Sequence, residues 1–596
     1  MKNNRVGRTI KKVLLIYPFT AIDSYNINDI ISKGVELQPP LGLGYISSYS
    51  KKYLSGIQID IFDANANAIK ICIKENKVDM PRLWQMVRDK IIEYGPDLVG
   101  VSCLFHVTAG AAHKTAAIVK TIDPTIYTVI GGNYAHTSYD DVLKDYNIDF
   151  VCFGESEIVF TNLVKGINEG TYLQTIKGIG YRNEMSEVVK TDCQELIKDI
   201  DSIPECDTSS FDIDFYSRQG RFFTSRFLDR NTTRITTLIA ARGCPYGCTF
   251  CSARLVWGGK IRYRKPSFVV DEMLHLRDKF AVNTFYFVDD NILASRRDFI
   301  GLAEEMRRRI PGINWVTLGG MQISALKDDV IQAIYDSGCK WFILPIESGN
   351  PETLKRIQKP HTVEMVEKAI EIIRKLEDIW IAGNVITGFP FESKKDIEDS
   401  LRYAKTLDLD WLYIFRFMPL PGTQLYQECL DAGYIQKYTW NNHKVGELFV
   451  LNTPNFEARY VAERNYAANA EYNFFKNRNM KLRPVQAIKD FNYVLDTAGD
   501  NALAMYGIAR AHQEMKNYQG AEKWFLQTLN ILESTDNTQG EKEDPVDSTM
   551  ASISKSFFVV NRDIKYNKYF EGAGIDVPKC LEEVRQLAKV NKPRIY

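Results

Sequence analysis

The chain has 596 residues, of which 45% are apolar and 25% charged, too long for one hydrophobic core and ordinary for about three or four globular domains. Lysine and arginine total 75 and aspartate and glutamate total 75, so the net charge is zero and gives no sign of a nucleic-acid or acidic-membrane partner. No stretch is long and apolar enough to cross a bilayer, and eleven cysteines without a paired spacing pattern are expected in a cytoplasmic, reducing setting.

The opening basic residues lead into a short apolar run that stops at Pro18, which reads as a first buried strand rather than a leader. Residues 1–165 then alternate apolar strands with helix-like segments. Candidate strands are 12–19, 57–64, 97–104, 127–134 and 149–156. Five apolar strands with helical crossovers predict an α/β domain with a doubly wound parallel sheet. Such sheets bind ligands beyond the carboxyl ends of their strands. Those ends carry Pro18, Ser102, Gly131 and Gly132, and Gly154 and Glu155. Any one glycine there is ordinary turn chemistry, but several small residues together favour close approach of a flat ligand.

Residues 166–230 are turn-rich and acidic at "DIDSIPECDTSS" and read as a connector. A second strand-helix series fills 231–450. Its candidate strands are 234–241, 284–289, 314–320, 341–348, 381–389 and 411–419. Six βα units predict a partial (β/α)6 barrel with working groups in the loops after the strands. Residues 451–596 show no strand series and are expected to be α-helical. Ala487, Phe491 and Leu495 recur as Ala521, Phe525 and Leu529, 34 residues later. That is the tetratricopeptide period, although two unrelated amphipathic helices would also produce one such match. The polar stretch 533–548 reads as a mobile loop.

The densest chemistry is "ARGCPYGCTFCS" at 241–252, which places Cys244, Cys248 and Cys251 directly after a predicted strand. Zinc normally takes four ligands from paired clips, and no second clip exists. A disulfide needs two thiols and an oxidising compartment. Iron–sulfur clusters are held by thiolates, usually four. Three thiolates on a cubane would leave one iron open to a small molecule.

This Cys-x3-Cys-x-aromatic-Cys pattern, with Phe250 as the aromatic, resembles the radical S-adenosylmethionine superfamily. The resemblance implies a [4Fe–4S] cluster whose open iron chelates S-adenosylmethionine, one-electron cleavage to a 5′-deoxyadenosyl radical, and hydrogen abstraction from a substrate. It also implies cofactor contacts at Asp289, Asp290 and Asn291 after the second barrel strand, and at Glu347 and Ser348 after the fourth. Gly388 in "NVITGFPFE" resembles the fifth-strand adenine motif, and "MPLPGT" (418–423) the sixth-strand end. "VDDN" departs from the usual Gly-Gly-Glu form of its position.

The N-terminal sheet resembles the cobalamin-binding domain that precedes the barrel in the anaerobic magnesium-protoporphyrin ester cyclase-like subgroup. The matching strings are "QPPLGLGYISSY" (38–49), "VSC" (101–103), "IGGNYAH" (130–136) and "FGESE" (153–157). The Asp-x-His-x-x-Gly string that supplies a lower cobalt ligand is missing, and His106 and His136 read better as ordinary loop histidines. The resemblance covers residues 10–430. It implies radical methylation of an unactivated carbon, or phosphorus, with cobalamin as methyl carrier. It also implies a small-molecule or peptide substrate and an electron donor such as a flavodoxin or ferredoxin. Two other readings stand beside it. One keeps the cofactors and changes the outcome to oxidative cyclisation or rearrangement without methyl transfer; apart from it, the sheet alternatively reads as a degenerate remnant that binds no corrinoid. The other is a scaffold that contacts a protein through the C-terminal helices, with a structural cluster.

Overall fold

The computed structural model describes residues 8–19, 27, 30, 37–219, 227–229, 231–317, 319–439, 451–536 and 567–590. All five predicted N-terminal strands are present: β1 (Lys12–Tyr17), β2 (Gln58–Asp63), β3 (Leu98–Ser102), β4 (Tyr127–Gly131) and β5 (Phe150–Cys152). They pair in parallel in the order β2-β1-β3-β4-β5. This order places a topological switch between β1 and β3. The strands are buried on both faces, with Val13, Leu14, Ile16, Leu98, Val99 and Ile130 all inaccessible, hence their near-continuous apolar runs. Local signals set the crossovers. Helix Met80–Tyr94 starts where the Asp79 side chain accepts the Arg82 N–H and ends at Gly95 in a left-handed conformation, the expected start and stop chemistry.

The expected connector differs in its first part. β6 (Ile179–Arg182) extends the sheet antiparallel to β5, and β7 (Val188–Lys190) pairs antiparallel with β6. The two strands have four and three residues around a tight turn, too short to stand out as periodic runs. Residues beyond them pass to the barrel through the helix Ile213–Gln219.

The six predicted barrel strands also form. β8 (Ile235–Leu238) is followed by a two-residue hairpin pair, β9 (Ala241–Arg242) and β10 (Arg262–Tyr263). Then come β11 (Thr284–Phe287), β12 (Asn314–Thr317), β13 (Trp341–Glu347), β14 (Trp380–Thr387) and β15 (Trp411–Arg416). Two three-stranded parallel sheets result, β12-β11-β8 and β13-β14-β15. Their seam is bridged by Met321 N–H donating to the Ile343 carbonyl at 2.9 Å. The strands thus follow one another around an open part-barrel with its loops on the carboxyl side.

The C-terminal region is helical, as expected. Helices Pro484–Ala498, Ala502–Glu514 and Tyr518–Asp536 pack in succession, and Val577–Val590 returns against the last of them. Ala487, Phe491, Ala521 and Phe525, the repeated small and aromatic positions, are fully buried. They join one core with Ile235, Tyr286, Val316, Ile343, Ala382 and Trp411 of the barrel strands. Trp411 meets Phe474 edge-on at 5.7 Å, and Phe474 stacks on Phe491 at 5.7 Å. The helices therefore close the barrel with their apolar face. Of the polar stretch 533–548, residues 533–536 finish a helix and the remainder lies outside the described residues.

Candidate active site between two modules

Cys244, Cys248 and Cys251 lie on one loop at the carboxyl side of the barrel. The Cys251 N–H donates to the Cys248 carbonyl at 3.1 Å, which turns the loop. All eleven cysteines are free thiols. Burial raises the Cys248 thiol to about 11, with Cys251, Cys244 and Glu347 adding to the rise and Lys359 opposing it. The three sulfurs thus sense one another. No three His, Cys, Asp or Glu side chains among the described residues converge on a single ion. Three thiols on one loop that act electrostatically on one another fit a four-iron cluster held by three cysteines.

Around this loop the predicted contacts separate into two sets. Asn291 directs its Nδ2 to Cys244 Sγ at 3.8 Å. Phe250 is half-buried, 5.9 Å from Phe389. Asp290 is the exposed member of "VDDN" and sits by Gly243 and Trp257. Gly388 has φ of +80°, where a side chain would be strained and would press on Val461 at 3.2 Å. These four stay at the barrel mouth.

Asp289 and Ser348 are engaged elsewhere, whereas Glu347 stays beside the cysteine loop through Lys359. Asp289 is buried and accepts from the Ala240 N–H at 3.1 Å and from the Ala241 N–H. It pins the strand that leads into the cysteine loop, and burial raises its carboxyl to about 7. Ser348 is fully buried, 2.7 Å from Ser400, and accepts from the Asn350 N–H. Glu347 stands at φ +61° and pairs with Lys359 at 2.7 Å. Side chains at strand ends can face either the mouth or the surrounding helices, and spacing alone does not say which.

Lys359 was not visible as a site residue in the sequence. Its ammonium lies 5.8 Å over the Phe250 ring and acts electrostatically on Cys248 and Cys251. Glu392 was also missed. Fully buried, it accepts from the Gly388 N–H at 2.8 Å and the Phe389 N–H at 3.0 Å, and burial raises it to about 7. The glycine loop thus has its own carboxylate anchor three to four residues downstream. The motif "GFPFE" contains that signal as a short acceptor–donor spacing.

Opposite the cysteine loop lies the carboxyl edge of the N-terminal sheet. Ser102 and Gly131 are half-buried at the ends of β3 and β4. Gly132 has φ of +106°, and a Cβ there would strike the Cys103 carbonyl at 2.4 Å. Gly154, at φ +68°, opens onto free space with nothing within 4 Å of a Cβ position. Such an edge is a cradle for a flat group. Asn133 Nδ2 reaches Ser252 Oγ at 3.3 Å, so the cradle and the cysteine loop border one cleft. His106 is buried 3.2 Å from both Ser138 and Thr137 hydroxyls, and burial lowers it to about 4. His136 Nδ1 accepts the Gly154 N–H at 3.2 Å. His106 is used within the sheet loops, whereas the His136 ring also bonds the Leu255 backbone beside the cysteine loop. Glu155 faces away from the cradle and pairs with Arg242 and Arg262 of the barrel.

Fold and site together define a two-module protein. A flavodoxin-like sheet presents its carboxyl edge to a parallel part-barrel that carries a three-cysteine loop. Residues 28–164 match the B12 binding domain model, and residues 238–404 match the radical SAM superfamily model. The cytidylyl-2-hydroxyethylphosphonate methyltransferase of Streptomyces wedmorensis is 26% identical over 510 residues, 80% of this chain and 93% of its own. The anaerobic magnesium-protoporphyrin IX monomethyl ester cyclase of Rubrivivax gelatinosus is 27% identical over 401 residues, 66% of each chain. The solved structure of the cobalamin-dependent S-adenosylmethionine radical enzyme OxsB, with aqua-cobalamin and S-adenosylmethionine bound, shares the fold. It has a TM-score of 0.61 and 13% identity, and the match covers 92% of this chain and 84% of OxsB. The chain carries a radical SAM domain and, N-terminal to it, a B12-binding domain. The cofactors of that pairing are a [4Fe–4S] cluster, S-adenosylmethionine and a corrinoid.

Proposed function

We propose that this enzyme methylates an unactivated carbon, or a phosphorus centre, of a small molecule or peptide. The observation that carries the reading is the shared cleft: the glycine-edged cradle and the cysteine loop meet through Asn133 and Ser252. When bound, the cluster supplies the electron that cleaves S-adenosylmethionine, and the corrinoid supplies the methyl group. The chain's own part is placement. Cys244, Cys248 and Cys251 would hold three irons, and Asn291 orients the first of these thiols. Lys359 puts a positive charge beside Cys248 and Cys251 and is balanced by Glu347. Gly388, anchored by Glu392, keeps the fifth-strand loop flat for an adenine ring. Gly131, Gly132 and Gly154 would let the corrinoid approach the sheet edge. Holding the partners in line is the protein's main lever in cofactor chemistry. The likeness to a methyltransferase along 80% of the chain supports this reading.

The electron would come from a flavodoxin or ferredoxin, and eleven free cysteines suit the cytoplasm. No helix among the described residues is long and apolar enough to cross a membrane. The relative that is a cyclase favours a second reading, oxidative ring closure without methyl transfer. Product mass separates the two.

The test is anaerobic reconstitution with iron, sulfide and hydroxocobalamin, followed by reduction with S-adenosylmethionine present. We expect 5′-deoxyadenosine from the native chain and none from Cys244→Ala. An intact reduced cluster that yields no 5′-deoxyadenosine sinks the radical reading. A chain that takes up no cobalamin sinks methyl transfer and leaves the radical enzyme standing.

A further inference from the structure

The loop that carries the three cysteines has a neck. β9 and β10 pair antiparallel with Arg242 opposite Arg262, and residues 243–261 loop out between them. Both neck arginines reach into the other module. Glu155, one residue past Gly154 at the sheet's carboxyl edge, accepts from Arg242 Nη1 at 3.0 Å and from Arg262 Nη1 at 2.7 Å. Glu157 accepts from Arg242 Nη2 at 2.6 Å. The Ile197 N–H donates to Glu155 at 2.6 Å, and the Arg262 Nη1 also donates to the Ile197 carbonyl at 2.7 Å. Aromatic faces cover the cations: Tyr45 lies 5.4 Å from the Arg242 guanidinium, and Trp257 lies 5.8 Å from both.

All four charged side chains are at most 10% exposed. Two positive and two negative charges leave the group neutral. A buried set of this kind is poor evidence of added stability, because desolvation offsets the attraction, and fixing a register is its best-attested use. Domain interfaces otherwise slide by default. Guanidinium forks have fixed geometry, so two of them on one carboxylate define direction as well as distance.

We propose that Glu155, Glu157, Arg242 and Arg262 form a strut that sets the separation between the cysteine loop and the corrinoid cradle. They are positioning residues for transfer between the two cofactor sites. The inference rests on the reading that both cofactors face this cleft.

The experiment uses the full chain reconstituted with iron, sulfide and cob(II)alamin. Spin–spin coupling between the reduced cluster and cob(II)alamin is measured in the native chain, Glu155→Gln and Arg242→Lys. S-adenosylmethionine cleavage by the dithionite-reduced cluster is followed in parallel, and hydrogen exchange of residues 243–261 and 153–157 in the cofactor-free chain. We expect the spread of couplings to widen at least twofold and exchange in both segments to rise at least tenfold. Cleavage of S-adenosylmethionine should stay within threefold. Unchanged coupling and exchange in folded variants overturns the strut, as does a parallel loss of cluster, cobalamin uptake and cleavage, which marks a purely structural role. If Glu155→Gln does not fold, Arg242→Lys decides. If the chain binds no cobalamin, the methyl-transfer reading fails and the exchange measurement alone decides the strut.

Discussion

Single carboxylates in this enzyme do scaffolding work beside the chemistry. Asp289 takes two backbone N–H groups at the end of β8, and Glu392 takes two in the glycine loop. Each spares the backbone an unmade hydrogen bond, which would cost about 1–3 kcal/mol. Burial sets the sign of their pH dependence. The Glu392 carboxyl rises to about 7 in the folded chain, against about 4.3 in an unfolded one. Ionising it is therefore harder when folded. Its contribution to stability is complete below about pH 4.3 and is lost as pH climbs toward 7. Glu392→Gln keeps an acceptor for Gly388 and Phe389 but cannot ionise. We expect it to flatten the fall in melting temperature of the cofactor-free chain over that window. A fall as steep as the native one would mean that another group titrates.

At the scale of elements, strand ends and helix faces carry separate tasks. The barrel strands bring their working loops to the carboxyl side, and their other ends meet the C-terminal helices. Those helices depend on close approach. A Cβ on Gly507 would lie 2.5 Å from the Phe491 ring, and Phe491 is fully buried against Phe474 and Trp411. The ring has no room to retreat. Gly507→Val should overpack this contact and cost about 1–3 kcal/mol, read as a lower urea midpoint, while the cysteine loop still assembles its cluster. A neutral result would show that the helix pair is looser than its geometry.

At the scale of the whole molecule, two buried charge clusters stand out among the described residues where modules meet. The strut joins sheet and cysteine loop. The other is Asp410, fully buried at the start of β15. It pairs with Arg374 of the barrel at 2.9 Å, accepts the Ile381 N–H at 2.8 Å, and meets Arg478 at 3.3 Å and Arg483 from the C-terminal region. Removing this charge leaves three half-buried guanidiniums without it, at a cost below about 3–5 kcal/mol, the figure for breaking a fully buried pair. Asp410→Asn should loosen the C-terminal helices from the barrel, seen as early proteolysis near residues 476–484. Intact resistance would assign the junction to Trp411 and Phe474 packing instead.

Much of this organisation was legible in the chain itself. Eleven core strands announced themselves as apolar runs because parallel strands are buried on both faces, and the three cysteines announced a cluster because thiols at that spacing serve few other ends. Alternating order also determined the two α/β modules and the helical end. Tertiary structure alone decided where strand-end side chains point. Asp289, Ser348 and Glu155 stand where cofactor contacts are expected, yet each is turned to a backbone, helix or domain partner far away in sequence. Lys359, Arg242 and Arg262 carry no local pattern, since their meaning lies in partners up to 107 residues distant. Periodicity reports which face of an element is buried. It does not report what that face is buried against, and in this enzyme that contact separates the residues at the cofactor cleft from those that hold the cleft in shape.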